Sequence, residues 1–299
     1  MAAIRIEDRM LAQRPALGVA AALLYIFLWA SAFVPSRVLA RGAPPISILS
    51  LRFLVAGGLL LVGAKLARLT IPRDAKTWLW VLAVGIGGNA LYLGLTYVAL
   101  RQMSAGMGSI IASTNPLIMA LVAPFLLREP LTGRKLIGLL LGFGGVVLTM
   151  HARAGSGAAR LQDVLLALTG VVSFVASNIL FKRMRERPHP VVLNGAQLTG
   201  AGLAMIPAAL LLEGVPHIDW TGPLIASLGY LVLILSVGAS MLWFWILQHG
   251  EASRVSAYFF LTPVFGLLSG ALLLNEPLRG LDGVGLGVIA LGLWLVSRS

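Results

Sequence analysis

The 299-residue sequence has no cysteine, which removes disulfides, thiolate metal sites and a cysteine nucleophile. Charge is scarce as well. Only 11% of residues are Asp, Glu, Lys or Arg, against about 25% in an ordinary soluble domain. All 11 acidic residues (Glu7, Asp8, Asp74, Glu129, Asp163, Glu186, Glu213, Asp219, Glu251, Glu276 and Asp282) fall in termini, connections or the ends of apolar runs. The four histidines, His151, His189, His217 and His249, lie in similar places and show no H-x-x-H spacing. Pumps and proton-coupled carriers place an ionisable group in mid-membrane, so no simple proton relay is expected. A Walker loop, a paired carboxylate set, a metal motif and a nucleophile–base pair are all missing. The expectation is a protein that is not an enzyme and uses no cofactor and no metal.

What is present is apolar: 58% of residues are hydrophobic and the mean hydropathy is +0.91. Such a chain needs a lipid bilayer around it. A net charge of +12 would suggest nucleic acid for a soluble protein. Here the basic residues sit in short connections and read as orientation signals, so no nucleic-acid partner is expected. The first 15 residues are polar, with Arg5, Arg9 and Arg14, and lack the form of a signal peptide. Ten apolar spans follow, near residues 16–38, 46–67, 78–100, 105–127, 136–150, 164–181, 191–212, 224–247, 253–274 and 283–296. Most approach the roughly 20 residues that cross the hydrocarbon, and lipid requires them to be helices. With the N-terminus inside, inner segments carry 16 Lys and Arg and outer segments 6. Both termini are therefore expected in the cytoplasm.

The stretch 104–150 returns, without a gap, 147 residues later as 251–297. About 14 of 47 positions are identical. Pro116 falls on Pro263, Glu129-Pro130-Leu131 on Glu276-Pro277-Leu278, and Gly133, Gly138 and Gly145 on Gly280, Gly285 and Gly292. Repetition at half the chain length predicts two related units, 1–150 and 151–299. Each holds five spans, so the second enters from the opposite side and the halves form an inverted repeat around a midplane site.

Pro116 and Pro263 sit near the middle of spans four and nine, where proline breaks the helix ladder. They are candidate symmetry-related hinges, with Ser113, Thr114 and Asn115 in one copy and Thr262 in the other placed to satisfy the freed carbonyls. Polar and aromatic residues concentrate in spans one, three, four, six, eight and nine, which are expected to line a wet cavity. Trp29, Asn89, Tyr92, Ser113, Asn178, Ser240, Trp243 and Tyr258 are the substrate-cavity candidates. Trp78 and Trp80 read as membrane-interface residues. Arg52, about two turns into span two, is an intramembrane charge and so a candidate functional residue, with snorkelling to the outer interface or holding helix-end carbonyls as the preferred reading. Spans five and ten are rich in glycine, a face that packs either within the chain or in a dimer. Monomer and dimer both remain open.

These residues carry a family resemblance. Two halves of five spans, the Trp29-Ala30-Ser31-Ala32-Phe33 stretch, Arg52 in span two and the twice-used Pro…Glu-Pro-Leu…Gly hairpin resemble EamA-type members of the drug/metabolite transporter superfamily. By overall similarity the sequence looks most like the YddG-type exporters of aromatic amino acids. The resemblance implies a basket of ten helices around a central cavity built from spans one, three, four, six, eight and nine. Relatives that carry organic phosphates or nucleotide sugars use basic residues in that cavity. With Arg52 the only Lys or Arg away from the ends of a span, a strongly anionic substrate is not expected.

The reading is a multi-pass carrier of a bacterial inner membrane that exports small neutral or zwitterionic metabolites, aromatic amino acids first, by alternating access. Aromatic side chains would face the substrate ring, and Ser113, Asn89, Asn178 and Ser240 its ammonium and carboxylate. Lacking a coupling group, transport would run down the substrate gradient. The alternatives are a multidrug or lipophilic-cation exporter and, outside carriers, a membrane scaffold or channel subunit.

Overall fold

A computed structural model describes residues 15–103, 108, 111–151, 160–184, 186–249, 252–262, 264–265 and 280–298. Every regular element among them is helical. In chain order these are α1 (Pro15–Ser31), α2 (Phe33–Gly42), α3 (Pro45–Leu66), α4 (Ala75–Gly85), a π-helical segment (Ile86–Leu91), α5 (Tyr92–Leu100), α6 (Asn115–Leu126) and α7 (Gly133–His151). They continue with α8 (Leu161–Arg183), α9 (Pro190–Glu213), α10 (Gly222–Tyr230), a second π-helical segment (Leu231–Ala239), α11 (Ser240–His249), α12 (Ala252–Ala257), a 3-10 turn (Tyr258–Leu261) and α13 (Gly280–Ser297). Six helical runs among the described residues are long and apolar enough to cross a membrane: Gly18–Gly42, Pro45–Leu66, Ala75–Leu100, Leu161–Arg183, Pro190–Glu213 and Gly222–His249. Shorter apolar helices cover Asn115–Leu126 and Gly283–Ser297. Large apolar side chains such as Phe125 and Leu211 are more than four-fifths exposed. A surface of that kind suits lipid.

Local chemistry sets the helix ends. Asp74 caps α4, accepting the Thr77 N–H at 2.7 Å, a bond that holds its carboxyl below the usual range. Pro45 and Pro190 begin α3 and α9, where a missing N–H costs nothing. The start of α3 is capped from far along the chain. The Glu213 carboxylate accepts the backbone N–H groups of Ile46 and Ser47, each at 2.8 Å, and the Ser47 hydroxyl at 2.7 Å. This ties the end of α9 to the beginning of α3.

Glycine governs the closest helix pairs. A Cβ added to Gly292 would lie 2.5 Å from the Gly138 carbonyl, and one on Gly145 would lie 2.8 Å from the Gly285 carbonyl. The glycine faces of α7 and α13 therefore pack on each other within the chain, against Ala120, Phe260 and Ile289. The pair α3 and α9 is built similarly: Gly195 meets Leu60 and Leu61, Gly202 meets Leu54, and the Ser50 hydroxyl donates to the Gly202 carbonyl. Close backbone approach of this sort is how membrane helices gain packing energy without a hydrophobic force between them. Further extensive contacts join α8 and α9 to the run Ala75–Leu100, α3 to the second π-helical segment, α10 to α2, and α12 to α6.

The proline positions differ from expectation in one respect. Pro116 lies in the first turn of α6 instead of mid-helix, after a turn at Ser113 and Thr114. The Thr114 hydroxyl donates to the Ile111 carbonyl at 2.7 Å, which satisfies one acceptor at the break. Pro263 lies outside the described residues.

Candidate functional site

Two helix irregularities shape the centre of the molecule. Ile86–Leu91 and Leu231–Ala239 are π-helical. Shifted by the 147-residue repeat, Ile86–Leu91 falls on 233–238, inside the second segment. A π turn redirects side chains and leaves backbone carbonyls poorly matched, a feature common at functional sites. Here carbonyls in and just before the first π segment are met by hydroxyls from α8: Ser177 donates to the Val84 carbonyl at 2.8 Å and Ser173 to the Gly87 carbonyl at 2.9 Å.

The two π segments border a central cavity, also lined by α1, α2, α3, α4, α5, α8, α9 and α11. Its apolar wall is a cluster of rings. Trp29 stacks on Tyr92 with an interplanar angle of 9°, Tyr92 on Phe174 at 4.8 Å, and Tyr25 on Trp243 at 4.9 Å between centroids. Phe259 meets Tyr25, Trp29, Phe174 and Trp243 edge-on. Offset stacks and edge contacts are the favourable ring geometries. About 80 Å³ of free volume remains, less than the roughly 150 Å³ of an engineered cavity that holds benzene. A ring-bearing ligand enters only as these side chains part.

Six of the eight expected cavity residues line this space: Trp29, Asn89, Tyr92, Asn178, Ser240 and Trp243. Trp243 Nε1 donates to Asn178 Oδ1 at 3.2 Å, and Ser240 donates to the Leu235 carbonyl at 3.1 Å. Ser113 and Tyr258 do not line it. Ser113 is fully buried elsewhere. Tyr258 is half-buried at the start of the 3-10 turn, and its neighbour Phe259 enters the ring cluster instead. Tyr258 was expected in the cavity by its residue type and its place in span nine. The tighter 3-10 winding changes which side chain faces inward.

The larger correction concerns helices α3 and α9, which the sequence reading left out of the cavity. Arg52 does not snorkel to the interface. It is 5% exposed and lines the cavity. Its Nε donates to Ser236 Oγ at 3.0 Å, its Nη1 to the Tyr97 hydroxyl at 3.1 Å, and Tyr97 in turn donates to Ser36 Oγ at 3.0 Å. On α9, Asn194 donates to the Ser236 carbonyl at 2.9 Å. Gln197 is 1% exposed, and neither its Nε2 nor its Oε1 has a partner among the described residues. Trp29 Nε1 and Asn178 Nδ2 are buried and unpaired there too. Two amides one helical turn apart in an apolar span were the signal for α9. In α3 the signal was the arginine itself. Expected spans four and nine contribute no lining residue among those described, although Phe259 of span nine backs the rings that do line the cavity. The cavity's unpaired groups are mostly donors, in a setting where an unmatched polar group is costly.

Comparison with known proteins fits this architecture. The model of the EamA-like transporter family matches twice, over residues 16–151 and 162–298. The chain is 31% identical over 279 residues to the uncharacterized transporter YvbV of Bacillus subtilis (strain 168), covering 92% of this chain and 91% of that one. It is 28% identical over 286 residues to a probable amino-acid metabolite efflux pump of Salmonella typhimurium (strain LT2), with 92% of each chain covered. A solved crystal structure at 20% identity superposes with a TM-score of 0.78 over 95% of this chain and 97% of that one, which shows a shared fold.

Proposed function

The chain belongs to the EamA-like transporter family, and from there we propose that it exports small zwitterionic metabolites, aromatic amino acids first, across a bacterial inner membrane. That it is a multi-pass membrane transporter follows from the family and the apolar helices. The substrate reading rests on one observation: a cavity walled by stacked rings that also holds a buried arginine. Rings offer a substrate ring flat apolar surface, and a few polar groups fix its orientation. The Salmonella relative's name, a probable amino-acid metabolite efflux pump, supports the same class.

The transport cycle we propose is alternating access between ten spans in two inverted halves. Three observations support that arrangement. The family model fits each half separately. Packing partners recur across the repeat, α3 with α9 and α7 with α13. The π segments occupy equivalent positions. Arg52 weighs against the rival cation exporter, although the rings alone would suit a cation through cation–π contacts. A cationic substrate would meet a buried positive charge.

The test is flux of radiolabelled phenylalanine in proteoliposomes, with and without an imposed pH gradient. Saturable flux, competed by tryptophan and indifferent to the gradient, is expected. Competition by a quaternary ammonium compound but not by amino acids would transfer the assignment to the cation exporter.

A further inference from the structure

We propose that Arg52 is the carboxylate-recognition subsite of the cavity, with Gln197 beside it as the amide that completes the binding of the anionic end. The inference deepens the exporter reading and rests on it for the location of the substrate.

A guanidinium has five N–H donors. Ser236 and Tyr97 take one each. Both are neutral, and no carboxylate partners Arg52 among the described residues. The Phe53 ring lies 5.6 Å from its Cζ, a weak source of compensation. Burying a cation with neutral partners alone is costly. Nε is held by Ser236 and one N–H of Nη1 by Tyr97, so three N–H groups remain, one on Nη1 and two on Nη2. They supply enough donors for both oxygens of a carboxylate.

Gln197 is the second, independent sign of a ligand. Its whole amide is buried without a partner on a cavity-lining helix. The contacts of Ser50 with Gly202 and of Gly57 with Gly195 set an antiparallel register between α3 and α9. Arg52 then faces the level of residue 200, and Gln197 lies about one turn, ~4.5 Å of rise, from it. One positive charge suits a monoanionic carboxylate better than a phosphate ester. The ammonium of a zwitterion falls to the ring cluster. This arrangement replaces the expectation that serine and asparagine hydroxyls and amides alone hold the carboxylate.

The experiment measures binding to the purified full chain in lipid nanodiscs, using matched pairs: phenylalanine against phenylalaninamide, and 3-phenylpropionate against 3-phenylpropionamide. Each acid is expected to bind wild type roughly 10- to 150-fold more tightly than its amide, the range for a hydrogen bond to a charged group. In Arg52→Gln that ratio is expected to fall to within a few-fold, and Arg52→Lys is expected to restore part of it. Should Arg52→Gln fail to fold by size-exclusion chromatography, the wild-type pairs and Arg52→Lys still decide. Equal binding of acid and amide by wild type overturns the subsite, whatever phenylalanine flux shows. If 3-phenylpropionate shows the Arg52-dependent preference while phenylalanine is neither bound nor carried, the subsite holds and the amino-acid reading falls.

Discussion

Arg52 Nε and Ser236 Oγ, 184 residues apart in sequence, lie 3.0 Å from each other in the centre of the molecule. The first belongs to the first repeat and the second to the π-helical segment of the second, so the cavity's charge is held across the two halves. The chain continues through Tyr97 and Ser36 on the first-half side. Tyr97→Phe removes the hydroxyl that accepts from Arg52 and donates to Ser36. Leaving buried groups unpaired costs about 1–3 kcal/mol. The expected outcome is a lower thermal midpoint in detergent and weaker substrate binding, with the maximal rate less affected. A variant that matches wild type in both would show that the Arg52 network is dispensable.

Much of this site was legible in the residue types. The apolar spans, the ring-rich helices and six of eight cavity residues follow from composition and polarity. Arg52 did not, because a long side chain two turns from a helix end has two outcomes, and only packing around it decides between them. Asn194 and Gln197 were passed over inside a span scored as apolar. The π segments have no hydropathy signature, since one added residue per turn leaves an apolar run apolar. The exchange of Tyr258 for Phe259 came from a local change in helical winding, which polarity patterns do not record.

The pairing of α7 and α13 depends on what is missing at Gly292. A methyl group there would lie 2.5 Å from both the Gly138 carbonyl and the Gly142 nitrogen, all backbone atoms that move only with their helices. Gly292→Ala is therefore expected to cost about 1–3 kcal/mol, as overpacking does. Gly144, on the same helix as Gly138, has open space around its Cα, and Gly144→Ala is expected to be neutral or slightly stabilising. Thermal unfolding of the two variants side by side tests the pair. Equal midpoints would mean that the glycine face is not an intramolecular seam.

Glu213 accepts three hydrogen bonds at the first turn of α3. Its negative charge also meets the positive end of the helix dipole. Glu213→Ala is expected to cost roughly 1–2 kcal/mol, the scale of a lost N-cap. Hydrogen exchange should locate the loss, with faster exchange at Ile46, Ser47 and their neighbours and little change in α7. Uniform acceleration over all helices would instead indicate general destabilisation and no specific clasp.

Asp74 supplies the pH-dependent element outside the membrane-spanning helices. Its carboxyl is held below the ordinary range, first by the Thr77 hydrogen bond. The folded pKa is thus depressed, so its stabilising contribution is present above about pH 4 and is lost as pH falls through the lower folded value. Asn caps a helix about as well as Asp. Asp74→Asn is expected to leave stability near neutrality almost unchanged and to flatten its decline in acid. An acid profile identical to wild type would exclude this carboxyl as a contributor.

Pro116 separates a hinge from a static bend. In the first turn of α6 it forfeits no internal hydrogen bond of that helix, and the break before it is stabilised by Thr114 bonding back to Ile111. Pro116→Ala restores an N–H at position 116 and permits the ladder to run back toward Ala112. A helix mended in this way gains stability or loses none. If the break is where α6 tilts during transport, the maximal rate falls several-fold while substrate affinity and thermal midpoint hold. A static bend predicts no change in rate. Rate and midpoint measured on the same preparation separate the two, because misfolding lowers both while a stiffened hinge lowers the rate alone.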